Sequence, residues 1–247
     1  MKNLFITLLL MSWTLLSVQA QTDYKQWETH RFSVKIGQEA DFEKALAAHN
    51  KKFHNAAPYK TGIFQLHTGP NSGDYELAIG PMTFTQLEGR PSGEAHDADW
   101  AKVMEHVAST GESVYWRMDK DIMYNPASGT TGFNINRWRY FTILPGERDR
   151  FEGLLKQVAE VYAAKKYAAS YSVYWKWGAS AGPHACVEIS MKSLAYFDQA
   201  TAFDKDFEEV HGFGSLNKFY DEFELCIDRT KTYDEIAEFM PNLSSDY

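Results

Sequence analysis

Charged and aromatic residues recur at alternate positions of several segments whose composition is typical of β-strands. Glu76, Tyr115 and Arg117 occupy such positions in the first half of the chain. Alternate side chains of a strand point to one face of its sheet, so we expect a shared polar face. Such a face could bind a small molecule, or it could be a hydrated seam of ion pairs without a ligand. The predicted ligand-binding residues are His67, Glu76, Tyr115, Arg117, Trp175, Glu188, Glu224 and Asp228.

Three carboxylates of this set are candidates for acid–base chemistry, namely Glu76, Glu188 and Asp228. A carboxyl group held close to other carboxylates can have a raised pKa and exchange protons near neutral pH. Acidic residues are also ordinary in strands, and the sequence contains no nucleophile elbow of the form Gly-x-Ser-x-Gly. No catalytic residue is therefore assigned, and whether the protein is an enzyme stays open.

His67 is the histidine nearest the middle of a predicted sheet. Its imidazole could transfer protons or ligate a metal or haem, or it could be a hydrogen-bonded strand residue. Trp175 occupies the corresponding place in the second half, so any chemistry of His67 would be confined to one half. Trp175 and Trp177 could stack on a flat ligand, with packing between strands as the alternative.

The spacing of metal-ligand residue types does not predict a metal site. His49 and His54 are five residues apart in a predicted helix, which places them on different faces and makes them a poor chelating pair. Residues 94–99 contain ligand types at irregular spacing, and the sequence has no His-Glu-x-x-His, Cys-x-x-Cys or EF-hand pattern. We therefore predict no metal ligand and identify no cofactor.

An internal repeat indicates the elements that would position these residues. Residues 31–53 match residues 140–162, and residues 112–124 match residues 221–233, both at an offset of 109 residues. Residues 74–87 match residues 184–197 at an offset of 110 residues. The patterns predict the element order β-α-β-β-α-β in each copy, with residues 222–228 as the last strand of the second copy.

On this order and repetition, the chain resembles the dimeric α/β-barrel (ferredoxin-like) superfamily in a fused tandem-repeat form. The predicted fold class is α+β, with two tandem ferredoxin-like β-α-β-β-α-β repeats forming a pseudo-dimeric α/β barrel. Superfamily members include small monooxygenases, haem-binding enzymes, isomerases and stress-induced binding proteins, and many hold a ligand between the two sheets. The resemblance is one of fold and rests on no signature peptide.

The predicted domain boundaries follow from the repeat and from the N-terminus. Residues 1–20 have a basic start, a short apolar run and a small final residue, as in a secretory signal peptide. Residues 21–124 form the first repeat, residues 125–133 the linker, and residues 134–247 the second repeat with a C-terminal tail. We expect an exported protein, periplasmic or secreted, with no integral membrane segment after signal cleavage.

Charge and composition narrow the classes of partner. The net charge of the 247 residues is −8, and no basic stripe is present, so no nucleic-acid partner is expected. The function that these features favour is an exported soluble protein that binds a small molecule in a polar and aromatic cavity between two sheets. The alternative is an α/β-barrel enzyme of the monooxygenase or haem-using oxidoreductase kind, although the Gly-x-x-Asp-Gly motif of dye-decolourising types is absent. The ligand and the oligomeric state stay open.

The two cysteines, Cys186 and Cys226, are predicted to be free and buried. Export favours a disulfide. The predicted strand order separates the two cysteine-bearing strands by one strand, or ~9.6 Å, whereas a disulfide needs Cα atoms within roughly 7 Å.

Overall fold

The computed structural model describes residues 24–178, 182–199 and 202–245. The predicted signal peptide lies outside the described residues. The strands are β1 (Gln26–Val34), β2 (Thr61–Leu66), β3 (Tyr75–Met82), β4 (Val107–Thr110), β5 (Val114–Tyr124), β6 (Ile135–Phe141), β7 (Ser170–Trp177), β8 (Ala185–Met191) and β9 (Tyr233–Phe239). The helices are α1 (Glu39–Phe53), α2 (Phe84–Glu88), α3 (Glu94–Met104), α4 (Arg148–Lys165), α5 (Tyr196–Gln199), α6 (Phe203–His211) and α7 (Ser215–Cys226), with a 3-10 turn at Arg229–Lys231.

The strands form one continuous antiparallel sheet that closes on itself. Its order is β3-β2-β9-β6-β8-β7-β5-β1-β4, and β3 also pairs with β1. Eight strands therefore complete a barrel, and β4 is an additional strand paired to the far end of β1. A barrel of eight strands is just wide enough for side chains to fill its interior or to enclose one small ligand.

The predicted fold class, two tandem ferredoxin-like repeats forming a pseudo-dimeric barrel, is wrong. The structure is a closed eight-stranded antiparallel barrel rather than two four-stranded sheets that face each other. Strand β5 pairs with β7, and β2 pairs with β9, so the first and second halves of the chain are joined by hydrogen-bonded ladders. The prediction considered only the uncovered face of each sheet as the surface that needs a partner, whereas closure pairs the sheet edges and thereby removes exposed edges.

The last strand was also predicted in the wrong segment. Residues 222–228 lie in the end of helix α7 and the turn after it, and the final strand is β9. The apolar residues Phe219, Phe223 and Cys226 recur at helical spacing and pack against the core beneath α7. Since alternation over a few residues cannot distinguish a short strand from one face of a helix, the match between residues 112–124 and 221–233 aligned a strand with a helix.

Apolar side chains form three clusters. One lies between the barrel and helices α1 and α3, around Phe42 and Leu46. A second lies between the barrel and helices α4, α6 and α7, around Phe151 and Phe207. The third is inside the barrel. Most strands are therefore covered on both faces. Functional side chains can thus lie either inside the barrel or outside it, beneath the helices.

None of the helices within the described residues combines the length and the apolar composition needed to cross a bilayer. Both cysteines are free and buried, as predicted. Cys186 lies on β8 and Cys226 ends α7, so the strand-based reason for the prediction applies only to Cys186.

Candidate functional site

The interior of the barrel contains a cavity of about 180 Å³ with aromatic walls and two carboxyl groups. Indole and phenol rings line most of it, and strands from both halves of the chain contribute them. This lumen is lined by Trp27, Thr29, Phe64, Glu76, Ala78, Trp116, Trp138, Tyr140, Tyr174, Cys186 and Glu188. Rings of this type provide large apolar surfaces with polar edges, so the lumen suits a flat molecule.

Glu188 is one of the two carboxyl groups that line the lumen. Strand pairing places it opposite Trp138, whose indole Nε1 donates a hydrogen bond of 2.8 Å to Oε2 of Glu188. The Tyr174 hydroxyl donates to Oε1 at 3.2 Å. Burial raises the pKa of the Glu188 carboxyl above its ordinary value, although these hydrogen bonds oppose the rise. Because the side chain faces the cavity, it keeps some accessible surface while it is remote from bulk water.

A second cavity, of about 260 Å³, forms the mouth of the lumen and shares Glu76, Trp116 and Tyr140 with it. Arg31 holds two carboxylates there. Its Nη2 lies 2.7 Å from Oε2 of Glu76 and 3.2 Å from Oε2 of Glu235. Burial opposes the charge of Arg31, but Glu76, Tyr140 and Glu235 outweigh that effect and raise its pKa.

Glu235 is fully buried at this mouth. The loop between β2 and β3 contributes a further hydrogen-bond donor to its carboxylate. Asn71 Nδ2 donates to Oε1 of Glu235 at 2.5 Å. The loop approaches β9 closely at Gly69, where a Cβ atom would lie 2.6 Å from the Asp234 carbonyl oxygen and φ is +86°. Only glycine accommodates both constraints, so Gly69 lets Asn71 reach Glu235. Burial raises the pKa of Glu235, with Arg31 opposing the rise.

Of the eight residues predicted from sequence, Glu76 and Glu188 line the lumen. Tyr115, Arg117 and Trp175 lie on strands β5 and β7 but point to the outside of the barrel. Arg117 lies over the ring of Tyr24. Trp175 packs in the core beneath α4, and its Nε1 donates to Asp119.

The remaining three predicted residues are outside the barrel interior. His67 follows β2 and lies 2.9 Å from Glu238, with both side chains more than one-third exposed. Glu224 is an exposed residue of α7 that pairs with Arg229. Asp228 accepts hydrogen bonds from Thr230 in the 3-10 turn, and this contact holds the pKa of Asp228 below its ordinary value.

The assignment of strand faces explains these differences. The sequence interpretation directed apolar residues toward the helices and polar residues toward the interior, which is correct for Glu76 and Leu77 on β3 but reversed for Trp116 and Arg117 on β5. Alternation shows which residues share a face, and it does not show which face is inside when both are covered. The tryptophans of the lumen and Arg31 were missed for this reason. Glu235 was missed because the alternating residues 233–239 were not assigned to a strand.

A separate polar site lies outside the barrel, between β1, β3 and helices α1 and α3. Three histidines, His49, His54 and His96, each present a ring nitrogen, and these atoms lie within 4.8 Å of one another. The ring centroids of His49 and His96 are 4.8 Å apart, and those of His49 and His54 are 5.3 Å apart. A cavity of about 420 Å³ adjoins the three rings. We call these three residues the histidine cluster.

The sequence interpretation placed His49 and His54 on different faces of one helix, whereas the structure brings their rings together. It assumed a helix through both residues, whereas α1 ends at Phe53 and His54 has φ −122° and ψ 32°. His54 leaves the helical path, so its ring turns back toward His49. Burial lowers the pKa of His49, and it lowers the pKa of His54 to about 4. Both imidazoles are therefore neutral at neutral pH.

Comparison with known proteins identifies similar folds and no family. No protein-family model matches the sequence, and no curated protein matches it. A candidate monooxygenase from Fusobacterium nucleatum subsp. nucleatum is similar in structure, with a TM-score of 0.58, 11% identity, and coverage of 88% of this chain and 92% of that chain. An anthrone oxidase-like protein has a TM-score of 0.56 and 13% identity, with coverage of 89% and 92%.

A chlorite dismutase variant from Candidatus Nitrospira defluvii has a TM-score of 0.56 and 9% identity, with coverage of 90% and 93%. These proteins are of the dimeric α/β-barrel kind, so the resemblance inferred from the sequence holds at the level of fold. The tandem-repeat form of that resemblance is not confirmed by the comparisons. At these identities the similarity defines the fold alone.

The described cavities do not fit haem, the cofactor implied by the haem-using members. A haem iron takes an axial His, Cys, Met or Tyr. The lumen offers the Cys186 thiol and the Tyr140 and Tyr174 phenols, but burial raises the pKa of all three. A volume of about 180 Å³ is also smaller than the pockets that hold drug-sized ligands, and haem is larger still. The cavity of about 290 Å³ beneath α4, α6 and α7 has no His, Cys or Met in its lining. Five tyrosines line it, but burial raises the pKa of each, which opposes the phenolate form that would ligate iron. The histidine cluster converges on one point, which leaves no room for a macrocycle between its rings.

Proposed function

We propose that the protein binds a small, flat and mainly apolar molecule in the lumen of the barrel, and that Glu188 recognises a hydroxyl or carbonyl group on it. One observation carries this proposal: a carboxyl group with a raised pKa faces a cavity whose walls are mainly aromatic. A buried polar group is costly unless it is hydrogen-bonded. Glu188 has three protein donors, Trp138, Tyr174 and Ser190, and about four acceptor sites, so it retains capacity for a ligand.

The protonation state of Glu188 determines which group it can recognise. A protonated carboxyl donates a hydrogen bond to a carbonyl oxygen, and an ionised one accepts a hydrogen bond from a hydroxyl group. Trp138 and Tyr174 fix the orientation of the carboxyl from one side. The ligand class is thus a planar hydroxylated or carbonyl-bearing aromatic compound of small size.

The mouth favours a neutral ligand. Arg31 and Lys176 are the cations among the residues that line this entrance. Lys176 Nζ lies 4.0 Å from Oε2 of Glu112, and both Glu76 and Glu235 lie within 3.2 Å of the Nη2 atom of Arg31. The charge of Arg31 is therefore already engaged within the protein. A free carboxylate or phosphate on the ligand would have to compete with these two buried partners.

A second candidate function is acid–base catalysis on the same bound molecule. The raised pKa of Glu188 favours it, because a general acid or base works best when its pKa lies near the working pH. The similarity to proteins described as monooxygenase or anthrone oxidase-like supports an enzyme of this fold. In this reading Glu188 transfers a proton to or from the polar group of the ligand. Action outside the cytoplasm is proposed from the signal-like residues 1–20.

The test uses two probes that differ by one hydroxyl group, 1-naphthol and naphthalene. Binding is measured by quenching of tryptophan fluorescence, since three tryptophans line the lumen. We expect 1-naphthol to bind more tightly, and Glu188→Gln to weaken it by about tenfold, or roughly 1.4 kcal/mol. Ala78→Phe should abolish binding because it fills the lumen. The matched control is Glu152→Gln, at an exposed pair with Lys156.

Equal binding by the Ala78→Phe variant would place the probe elsewhere and reject the lumen as the site. Deuterium uptake into the carbon positions of bound 1-naphthol, followed by mass spectrometry, separates the two functions. Uptake that is lost in Glu188→Gln supports proton-transfer catalysis. A molecule that binds without exchange supports a binding protein.

A further inference from the structure

We propose that His49, His54 and His96 bind one divalent transition-metal ion, with Zn²⁺ as the representative ion, through their three Nε2 atoms. This site is separate from the lumen, because it lies between the outer face of the barrel and helices α1 and α3. Three observations support this site: the three rings lie close together, their Nδ1 atoms are hydrogen-bonded within the protein, and the buried Nε2 atom of His49 has no partner within the described residues.

Each imidazole uses its Nδ1 atom within the protein. His49 Nδ1 lies 3.1 Å from Oδ1 of Asp99, and His96 Nδ1 lies 3.1 Å from Oδ1 of Asp97. His54 Nδ1 lies 3.0 Å from the carbonyl oxygen of Tyr59. All three partners are acceptors, so each Nδ1 carries a proton, and in the neutral imidazole the Nε2 atom then carries the lone pair. Histidine ligands of metals show this arrangement, in which a carboxylate or carbonyl fixes the tautomer and the ring orientation.

The Nε2 atom of His49 is the second, independent observation. His49 is fully buried, and its Nε2 has no hydrogen-bond partner within the described residues. An unsatisfied buried polar atom costs ~1–3 kcal/mol, so proteins seldom keep one without a reason. A metal ion between the three rings would satisfy this lone pair.

Two helices hold the ligands in place by different means. Helix α1 carries His49 on its buried face and ends at Phe53, so that His54 stands at its C-terminus. Helix α3 carries His96 in its first turn and packs against α1. Asp99, one turn further along α3, joins the helices through its contact with His49. The ion would add a further link between α1 and α3.

The donor set determines the class of ion. Imidazole nitrogen suits Zn²⁺, Cu²⁺, Ni²⁺ and Fe²⁺, whereas Mg²⁺ and Ca²⁺ prefer oxygen. Tetrahedral Zn²⁺ with Zn–N distances of ~2.0–2.1 Å places its nitrogen ligands ~3.3 Å apart. The present separations of up to 4.8 Å therefore need a modest closure, which rotation of the partly exposed His96 ring can supply.

The cavity beside the cluster supplies the fourth coordination position. It has a volume of about 420 Å³, and its lining includes Asp97, Glu28 and His30 as well as the three ligands. A site with three protein ligands and one position open to solvent is the layout of a reactive zinc centre rather than a closed structural one. We assign the fourth position to water or to an oxygen of an exchangeable ligand.

The experiment measures metal binding by protein without an affinity tag, after treatment with a chelator. Titration with Zn²⁺ in competition with a chromophoric chelator should give one equivalent bound with Kd at or below about 1 μM. Co²⁺ should give the intense visible absorption of a four- or five-coordinate ion. His96→Gln should weaken Zn²⁺ binding more than ~100-fold, and Asp99→Asn should weaken it by ~10–100-fold through the orientation of His49.

The matched control is His67→Gln, which removes an exposed histidine outside the cluster and should leave the affinity unchanged. Near-ultraviolet circular dichroism verifies that each variant is folded, and His96 is suitable because its side chain is 17% exposed. Absence of Zn²⁺ binding by the folded wild-type protein would overturn the proposal. Equal binding by His96→Gln, or the weak absorption of octahedral Co²⁺, would also overturn it.

Discussion

The lumen of the barrel and the histidine cluster both contain buried polar groups, and they differ in whether the protein itself satisfies them. In the lumen, Glu188 accepts from Trp138 and Tyr174, and Glu76 pairs with Arg31. In the cluster, His49 has one nitrogen engaged with Asp99 and the other without a partner within the described residues. The protein itself thus satisfies the carboxylates of the lumen. In the histidine cluster, the lone pair of His49 Nε2 has no such partner and is directed at the neighbouring imidazoles.

This difference indicates what each region can bind. A carboxyl group with fixed donors in an aromatic cavity recognises a neutral molecule through one or two hydrogen bonds. Imidazole lone pairs that converge on one point attract an electrophile, and a metal cation is the electrophile that matches three of them. The site that we propose for an organic molecule and the site that we propose for an ion therefore lie on opposite sides of β1 and β3.

The largest effect is expected from Arg31→Met, which tests how far the lumen depends on internal pairing. The substitution leaves the buried carboxylates Glu76 and Glu235 without their cation, so we expect the free energy of unfolding to fall by ~3–5 kcal/mol. Urea denaturation measures it. The control Arg229→Met removes an exposed pair with Glu224 and should cost less than ~1 kcal/mol. Equal losses in the two variants would mean that the mouth is not held by Arg31.

Glu188→Gln tests whether the lumen has the low polarity that raises the pKa of Glu188. The quantity compared is the pH dependence of the free energy of unfolding. Burial raises the pKa of Glu188 above its ordinary value of 4.5, so the folded state holds this proton more tightly than the unfolded state. Stability from this group is full below pH 4.5 and is lost as pH rises through the folded pKa. Relative to Glu188→Gln, the wild-type protein should lose ~1.4 kcal/mol for each unit by which the pKa is raised.

Urea denaturation between pH 4 and pH 8 gives this difference, with Glu152→Gln as the control at an exposed position. A difference between wild type and Glu188→Gln that stays constant over this pH range would show that the carboxyl group titrates as it does in the unfolded chain. The lumen would then lack the low polarity on which its proposed role depends.

A smaller effect is expected from His49→Leu in metal-free protein. The substitution removes the hydrogen bond to Asp99, worth ~0.5–1.5 kcal/mol, but it also removes the unpaired Nε2 atom. These terms nearly offset each other, so the free energy of unfolding should change by less than ~1 kcal/mol without metal. Thermal denaturation with and without Zn²⁺ measures it, and Zn²⁺ should stabilise only the wild-type protein. A loss above ~3 kcal/mol without metal would indicate that the imidazole is a structural residue.

The smallest effect concerns the order in which the two thiols react with an alkylating reagent, and it involves no change in the free energy of unfolding. Burial raises the pKa of both Cys186 and Cys226, so neither forms a reactive thiolate readily. A small uncharged alkylating reagent should modify Cys186 first, because it faces the lumen and is 6% exposed, whereas Cys226 is fully buried. Mass spectrometry after limited alkylation gives the order. Earlier modification of Cys226 would show that the lumen is closed to small molecules.

Local patterns were sufficient to predict most of the elements. The alternation in residues 74–80 and the turn residues before them identified β3, and the apolar stripe of Phe42 and Leu46 identified α1. Glu76 and Glu188 line the lumen, as the alternation rule had them, but the same rule was reversed for Trp116, because alternation does not select the inner face. In residues 222–239, the end of helix α7 was predicted as a strand and strand β9 was missed. The two elements follow each other closely, and over so few residues periodicity does not distinguish a strand from one face of a helix.

By itself, the sequence determined which side chains share a face in each strand that it identified. Only the tertiary structure decided which face of β5 is the inside, because closure of the barrel covers both faces with protein and removes the contrast between core and solvent on which such predictions depend. Only the tertiary structure brought His96 to His49 and His54. That contact depends on where α1 ends and on how α3 packs against it, and spacing along the chain encodes neither.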